Sequence, residues 1–170
     1  MENFYELIKN GLHYNKFTLD ELLGVEYTCP LPDEESAIWA QTDYIIHVLS
    51  GKKSWRTIQG TIEVSAGDTV YVKKGAAFIR QFFDDDFCML GFFVSDDFIK
   101  STVTELQGKV PLNRATDQPD TNILMINETP VLAGYFQSML THFEQKNKPL
   151  NALLELKFKE LLISIITSDN

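Results

Sequence analysis

Short segments of alternating apolar and polar residues fill the middle of the chain, between residues 44 and 83. They are rich in Val, Ile, Tyr, Trp and Thr, the residues that favour strands. Glycines separate the segments and supply the positive φ angles that tight turns require. Strands of about four to eight residues at this spacing indicate a small antiparallel barrel or sandwich. The separating glycines are Gly51, Gly60, Gly67 and Gly75.

Alternation predicts side-chain directions in the strand that follows the third of these glycines. Val70 and Val72 are expected to point inward and Tyr71 outward. Further along, the run 87–94 is apolar throughout, which is typical of a strand buried on both faces. The acidic triplet Asp84–Asp86 before it lacks the spacing of a calcium loop, so we interpret it as a hairpin turn.

The ends of the chain carry helical as well as strand patterns. Thr129 and Pro130 indicate the start of a helix. Proline has no backbone N–H, and at the first helical position that N–H would have no partner within the helix. The five apolar residues that share one face of this helix are Leu132, Tyr135, Phe136, Met139 and Phe143. The other predicted elements are a helix over 3–10, one or two strands within 17–29, a helix capped by Ser95 and running to about 106, a loop over 107–121 and a strand over 123–126.

The last helix, after Pro149, has apolar residues on two opposed sides. Such a helix is either enclosed within the domain or shared with a second copy of the chain. Of the two, the pattern favours a dimer interface. The first stripe is Leu150, Leu154, Phe158, Leu161 and Ile165, and the candidate interface residues on the other side are Ala152, Leu156, Lys159 and Ile163.

Composition limits the class of protein. The chain has 170 residues, a formal net charge of −9 and two cysteines, which fits one domain without a disulfide scaffold. We interpret Cys29 and Cys88 as reduced thiols of a cytoplasmic protein. The N-terminus lacks a signal-peptide pattern, and no apolar run reaches the ~20 residues of a membrane helix, so no membrane partner is expected. The acidic charge argues against direct binding of nucleic acid.

One cluster of basic residues lies in the strand region, although the chain as a whole is acidic. It represents either solvated turns and sheet faces or an anion-binding patch, and the first reading is favoured. The cluster comprises Lys52, Lys53, Arg56, Lys73, Lys74 and Arg80.

The sequence contains no residue pattern for catalysis, metal binding or cofactor binding. His13, His47 and His142 lie in unrelated segments, and no nucleophile elbow, Walker loop or Rossmann glycine pattern occurs. We therefore assign no catalytic residue, no metal and no cofactor. Aromatic residues give a softer hint, because a small barrel either is filled by its own side chains or encloses one small ligand. The candidate ligand-binding residues are Trp39, Tyr44, Trp55 and Phe82.

Two turns in the strand region resemble those of the cupin barrel. The segment 48–51 reads V-L-S-G, like the cupin V-L-x-G turn, and the segment 67–75 follows the cupin G-D turn to its closing glycine. Metal-binding cupins hold their ion with histidines and a glutamate, whereas 36–41 and 76–79 offer no such ligand here. The resemblance thus implies the barrel without its metal centre.

The whole order of elements resembles the N-terminal regulatory domain of AraC-family bacterial transcription regulators, in the ExsA-like subgroup. The G-D-x-x-x-V-K-K-G turn and the terminal L-L-E-L-K-x-K-E-L-L helix carry this resemblance, which covers roughly residues 25 to 168. It implies an α+β, mainly β fold: a cupin-like double-stranded β-helix, or jelly-roll barrel, followed by two to three C-terminal helices. Residues 1–126 would form the barrel with a short N-terminal segment and one helix, and 127–170 a helical dimerisation segment packed on it.

The same resemblance implies a role in regulation. The chain would dimerise and receive a signal, from either a small-molecule effector or a regulatory protein. It would reach DNA only through a helix-turn-helix domain that is absent from this chain. The alternatives are a stand-alone cupin-like protein that binds a small molecule and, less favoured, a metal-dependent cupin enzyme.

Overall fold

The structure is a computed structural model that describes residues 1–12, 14–28, 35–82, 86–110, 121–145 and 147–168. The strands in these ranges are β1 Glu2–Asn3, β2 Asn15–Leu19, β3 Leu22–Thr28, β4 Glu35–Ala40, β5 Asp43–Ser50, β6 Lys52–Thr57, β7 Gly60–Ser65, β8 Thr69–Val72, β9 Gly75–Gln81, β10 Cys88–Val94 and β11 Ile123–Ile126. The helices are α1 Phe4–Asn10, α2 Asp96–Leu106, α3 Pro130–Glu144 and α4 Asn151–Ile166.

The strands form two sheets that face each other. Sheet A has the order β1-β4-β9-β6-β7, and sheet B the order β11-β8-β5-β10-β3-β2. The chain passes repeatedly from one sheet to the other, so that β4, β6, β7 and β9 belong to sheet A while β5, β8 and β10 belong to sheet B. This is the jelly-roll arrangement expected from the sequence.

The hairpin predicted at Asp84–Asp86 is wrong. The strands on either side of the triplet lie in different sheets: β9 pairs with β4 and β6, whereas β10 pairs with β3 and β5. The two strands already differ in pattern, since β9 alternates between buried and exposed residues and β10 is buried along nearly all its length. Of the triplet, only Asp86 lies within the described residues.

Strand β10 has apolar layers on both sides, as predicted. Met89 and Phe93 point into the core between the sheets, and Leu90, Phe92 and Val94 point into a second core under the helices. The strand has no polar face because it lies at the centre of a three-layer structure. The predicted alternation in β8 is also confirmed, since Val70 and Val72 are buried and Tyr71 is only half-buried.

The second core lies between the outer face of sheet B and helices α3 and α4. All five apolar residues predicted for one face of α3 are buried in it. Gly24 of β3 lies directly under the helices, since a Cβ there would be in van der Waals contact with the Phe143 ring at 3.4 Å. The Phe143 ring stacks on Phe17 of β2 with ring centroids 4.8 Å apart. The helices therefore cover sheet B, and the packing fixes them in place.

The N-terminal caps predicted for α2 and α3 form in the structure. The Phe98 backbone N–H donates to Ser95 Oγ at 3.3 Å, and the Leu132 backbone N–H donates to Thr129 Oγ1 at 3.2 Å. Helix α1 buries Phe4, Tyr5 and Ile8 in the core between the sheets. None of the helices in the described residues is long and apolar enough to span a membrane.

Helix α4 differs from its predicted stripe at one end. Leu154, Phe158 and Leu161 are fully buried, as expected, and Leu162 is buried beside them. Leu150 is instead 81% exposed, because it precedes the first helical residue and lies outside the helix surface that packs on sheet B. Ile165 is half-buried against the same core.

Candidate functional site

The predicted ligand-binding aromatics occupy different parts of the barrel. Tyr44 and Trp55 are buried between the sheets, where the Tyr44 ring lies 5.4 Å from the rings of Phe4 and Phe93. Trp39 lies on the outer face of sheet A, and Phe82 is half-buried just after β9. The structure therefore does not bring these four side chains into one cavity.

The interior around Tyr44 and Trp55 is filled by side chains. Burial raises the pKa of the Tyr44 phenol, although the neighbouring Trp55 indole favours the charged form. The Trp55 Nε1 has no hydrogen-bond partner of standard geometry among the described residues.

The basic cluster predicted from the sequence divides into separate environments. Lys53 is buried, with its Nζ 4.5 Å from the centre of the Phe87 ring and 5.0 Å from that of Tyr27. Lys74 is exposed and pairs with Asp96 at the start of α2. Its side chain thus ties the β8–β9 turn to a helix and does not form part of a wider basic surface.

Lys73 follows β8 of sheet B, and its backbone N–H donates to the Asn122 carbonyl oxygen. The other three basic residues lie beside aromatic rings on the outer face of sheet A. The Arg56 guanidinium lies 4.9 Å from the centre of the Phe78 ring, and the Lys52 Nζ lies 4.8 Å from that of Phe82. The Arg80 guanidinium is 6.0 Å from the Phe82 ring. A shallow pocket of about 180 Å³ opens here between Glu35, Ser54, Arg56, Thr61, Phe78 and Arg80. We call the set Trp39, Lys52, Arg56, Phe78, Arg80 and Phe82 the aromatic–arginine surface.

Helix α4 presents an apolar side away from the barrel. Leu156 is 62% exposed, Ala152 is exposed, and Ile163 is half-buried. Lys159 lies on this side and forms an ion pair with Glu105 of α2, with Nζ and Oε1 3.1 Å apart. Leu153 is also exposed and was not in either predicted stripe, because its helical angle falls between them.

A wider groove of about 520 Å³ lies where the β2–β3 turn meets α2 and α4. Its apolar floor is formed by Leu19, Leu22 and Phe98, and its rim carries four carboxylates. The sequence could not reveal it, because its parts come from three distant segments. The acidic residues on the rim are Asp20, Glu21, Asp97 and Glu155.

His47 is a structural residue under α3. Its ring stacks on Phe136 with centroids 4.0 Å apart, and its Nδ1 lies 2.9 Å from Thr69 Oγ1. Burial lowers the pKa of His47, while the charges of Glu128 and Asp68 oppose that shift. This environment favours a neutral imidazole. Cys88 is a free, half-buried thiol, whereas Cys29 and His13 lie outside the described residues.

The described ranges contain no group of three or more His, Cys, Asp or Glu side chains arranged to hold a metal ion.

Comparison with protein families gives one match over most of the chain. Residues 43–170 match the family described as the ExsA N-terminal regulatory domain. No curated protein sequence matches closely enough to count as a relative.

Solved structures of other proteins share the fold. ToxT from Vibrio cholerae with an unsaturated fatty acid bound superposes with a TM-score of 0.59 at 12% identity, covering 87% of this chain and 58% of that one. The AraC-like transcriptional activator CuxR superposes with a TM-score of 0.55 at 11% identity, covering 90% of this chain and 54% of that one. The chain thus spans less than three fifths of the length of either protein.

Proposed function

The chain belongs to the ExsA N-terminal regulatory domain family, and from this membership we propose that it is the signal-receiving and dimerising half of an AraC-type transcription regulator. A separate helix-turn-helix domain would contact DNA. The acidic charge of −9 supports this division, because phosphate contacts require a basic surface. A regulator of this kind would act in the cytoplasm, where its promoters are. In this role the chain would catalyse no reaction.

We divide the chain into a receiving part and a dimerising part. Residues 1–126 would receive the signal, and residues 127–170, which include α3 and α4, would join two copies. The support is the packing of α3 and α4 on sheet B, which links any change in the barrel to the helices. A signal acts by binding one arrangement of these helices better than another.

The exposed side of α4 is the observation that carries the dimer proposal. Leu156 is 62% exposed between Ala152 and Ile163, and α2 and α3 flank the helix without covering it. Burying a leucine side chain contributes about 1.5–3 kcal/mol. A twofold axis near Leu156 would bring the same residues of two copies together. Lys159 would lie at the margin, where its ion pair with Glu105 holds α2 beside the interface.

Two kinds of signal fit the receiving part. The fatty acid bound to ToxT supports a small-molecule effector for this chain. The four carboxylates around the large groove disfavour an effector that carries its own carboxylate at that site. A neutral or cationic small molecule, or a regulatory protein, fits the described surfaces better.

A fusion experiment tests the function. The chain is joined to a DNA-binding domain that occupies a two-half-site operator only as a dimer, and operator occupancy is measured. We expect the wild-type fusion to occupy the operator and Leu156→Glu to abolish occupancy, because two buried carboxylates would face each other. Val131→Glu is the matched control, since Val131 is an exposed apolar residue on α3. Equal occupancy by both variants would contradict the proposed dimer interface.

A further inference from the structure

The wider groove, which we call the acidic groove, lies where three elements meet that are distant in the sequence. The β2–β3 turn, α2 and α4 each supply one of its walls, and its volume is about 520 Å³. Binding sites for small molecules range from about 300 to 1,000 Å³. The acidic groove is therefore large enough to hold a small organic molecule.

The floor of the acidic groove is apolar and partly open to solvent. Leu19 and Phe98 are half-buried and pack against the core under the helices, and Leu22 is buried. The Phe98 ring meets the Phe158 ring of α4 edge to face, with centroids 6.4 Å apart. Because covering the half-buried side chains removes apolar surface from water, the floor favours an occupant with an apolar body.

The rim of the acidic groove carries four carboxylates without a cationic partner. Asp20 and Glu21 lie on the β2–β3 turn, Asp97 on α2 and Glu155 on α4, and all four are exposed. None of them forms an ion pair with a described residue. No lysine, arginine or histidine of the described ranges lines the groove. A cation that enters would therefore be attracted by all four charges.

Neighbouring positive charges do not offset the rim. The N-terminal ends of α2 and α4 together contribute about one positive charge. Lys74 and Lys100 lower the pKa of Asp96, which does not line the groove, and Lys148 before α4 does not line it either. The residues outside the described ranges carry seven acidic side chains against one arginine and one lysine. They add further negative charge to the chain.

Floor and rim together select the chemistry of the occupant. An anion would be repelled, and a neutral molecule would gain from the floor alone. The described carboxylates are not arranged to hold a metal ion, and a metal ion would gain nothing from the floor. An ammonium group is attracted both by carboxylates and by an aromatic ring such as Phe98. Three apolar side chains suit a small molecule, because a stable protein interface buries about 800 Å² on each partner.

We propose that the acidic groove binds a small organic cation, an amine or guanidine whose apolar body lies on Leu19 and Phe98 and whose positive groups lie at the carboxylate rim. This inference deepens the proposed function by naming the class of effector, and it rests on that function only in calling the ligand a signal. An occupant would contact both the barrel and α4, the helix of the proposed dimer interface.

A series of matched compounds tests the preference for charge and for an apolar body. Octamethylenediamine, octamethylene glycol and suberate have the same number of carbon atoms and differ in charge. Nuclear magnetic resonance titration of the purified chain should show saturable shifts at 19–22, 95–101 and near 155 with the diamine. The glycol should bind more weakly and suberate not at all. No saturable binding of the diamine up to about 10 mM, or equal binding of suberate, would overturn the proposal.

A shorter diamine tests the floor without altering the protein. Trimethylenediamine carries the same charge as octamethylenediamine but has five methylene groups fewer. It should bind about tenfold more weakly or less, because the longer chain covers more of the apolar floor. Equal affinity for the two diamines would contradict a role for the floor.

Variants locate the binding. Asp20→Asn combined with Glu155→Gln removes two rim charges and should weaken diamine binding by about fivefold or more. Asparagine tolerates the φ of 51° found at Asp20, so the turn should be retained. The control is Glu35→Gln combined with Glu63→Gln, two exposed residues of sheet A, and should leave binding unchanged. Equal losses in the two variants would mean nonspecific attraction to an acidic chain and would contradict a defined site.

Other occupants are distinguished in the same titration. Calcium ions that shift the same residues at lower concentration than the diamine would make the groove a metal site and overturn the proposal. A peptide of Lys, Leu and Phe that binds more tightly, with the same loss in the rim variant, would replace the small molecule by a protein segment.

The inference and the dimer proposal fail separately. Diamine binding should persist in Leu156→Glu, and the rim variant should sediment like the wild type. A wild type that associates but does not bind the diamine would contradict the groove alone. A wild type that binds the diamine but stays monomeric would contradict only the dimer proposal.

Discussion

The outer faces of the two sheets differ in how far they are buried. Sheet B is covered by α3 and α4, and its outward residues, such as Phe92, are fully buried. Sheet A has outward aromatic residues of similar size, Trp39 and Phe78, that remain in contact with solvent. Both sheets share one inner core, so the barrel does not require both outer faces to be covered. The outer face of sheet B packs against helices, whereas the outer face of sheet A keeps partly exposed aromatic residues.

A matched pair of phenylalanine truncations should show the largest contrast. Phe158 of α4 is fully buried, with its ring centroid 5.9 Å from that of Phe92, whereas Phe78 is 42% exposed. Phe158→Ala should lower the free energy of unfolding by about 3–5 kcal/mol, and Phe78→Ala by about 0.5 kcal/mol or less. Urea unfolding measures both. Similar losses would show that sheet A is not an open face.

A glycine on the covered face should give the next effect. Gly24 lies under α3 and α4, where an added Cβ already reaches the Phe143 ring at 3.4 Å. Gly24→Val should therefore cost about 1–3 kcal/mol through overpacking. The measurement is the midpoint of urea unfolding, with the slope of the unfolding free energy against urea concentration unchanged. An unchanged midpoint would mean that the helices can shift outward without loss.

Acid should weaken the covered face through His47. Burial holds the pKa of His47 below its ordinary value of 6.5, so the unfolded chain takes up this proton at higher pH than the folded chain. The contribution of His47 to stability is therefore intact above pH 6.5 and is lost as the pH falls below that value. Urea unfolding of the wild type and His47→Gln at neutral and mildly acidic pH tests this. The variant should lose less stability on acidification, and an equal or larger loss would exclude His47 as the cause.

The smallest effect is expected at a solvent-facing glycine of α3. Gly134 is exposed, and a Cβ there would meet no atom within 4 Å. Gly134→Ala should raise the free energy of unfolding by about 0.5–1 kcal/mol, because alanine loses less backbone entropy in a helix. Thermal unfolding measures the gain. A loss of stability would indicate that another group approaches this helix surface.

The sequence predicted elements whose pattern is local. The buried face of α3 and the two-sided burial of β10 follow from periodicity alone, and both are confirmed. The hairpin at Asp84–Asp86 was wrong because the sheet to which a strand belongs depends on distant partners. Leu150 was misplaced because a helical angle does not reveal where the helix begins.

The candidate surfaces were harder to predict for the same reason. Alternation assigns each aromatic to one side of its strand, but it does not show that Trp39 faces solvent while Trp55 faces the core. The pairing of Arg56 with Phe78 depends on the register between β6 and β9, which are separated by the whole of β7 and β8. The acidic groove depends on three segments that meet only in the folded chain.

Sedimentation equilibrium tests the central claim, that the chain is a regulatory domain joined to a second copy through α4. The wild type should show a reversible monomer–dimer equilibrium that shifts toward dimer as concentration rises. Leu156→Glu should remain monomeric over the same range and should match the wild-type unfolding midpoint at low concentration, where the wild type is also monomeric. A wild type that stays monomeric up to about 100 μM, or a Leu156→Glu variant that associates as tightly as the wild type, would contradict the account.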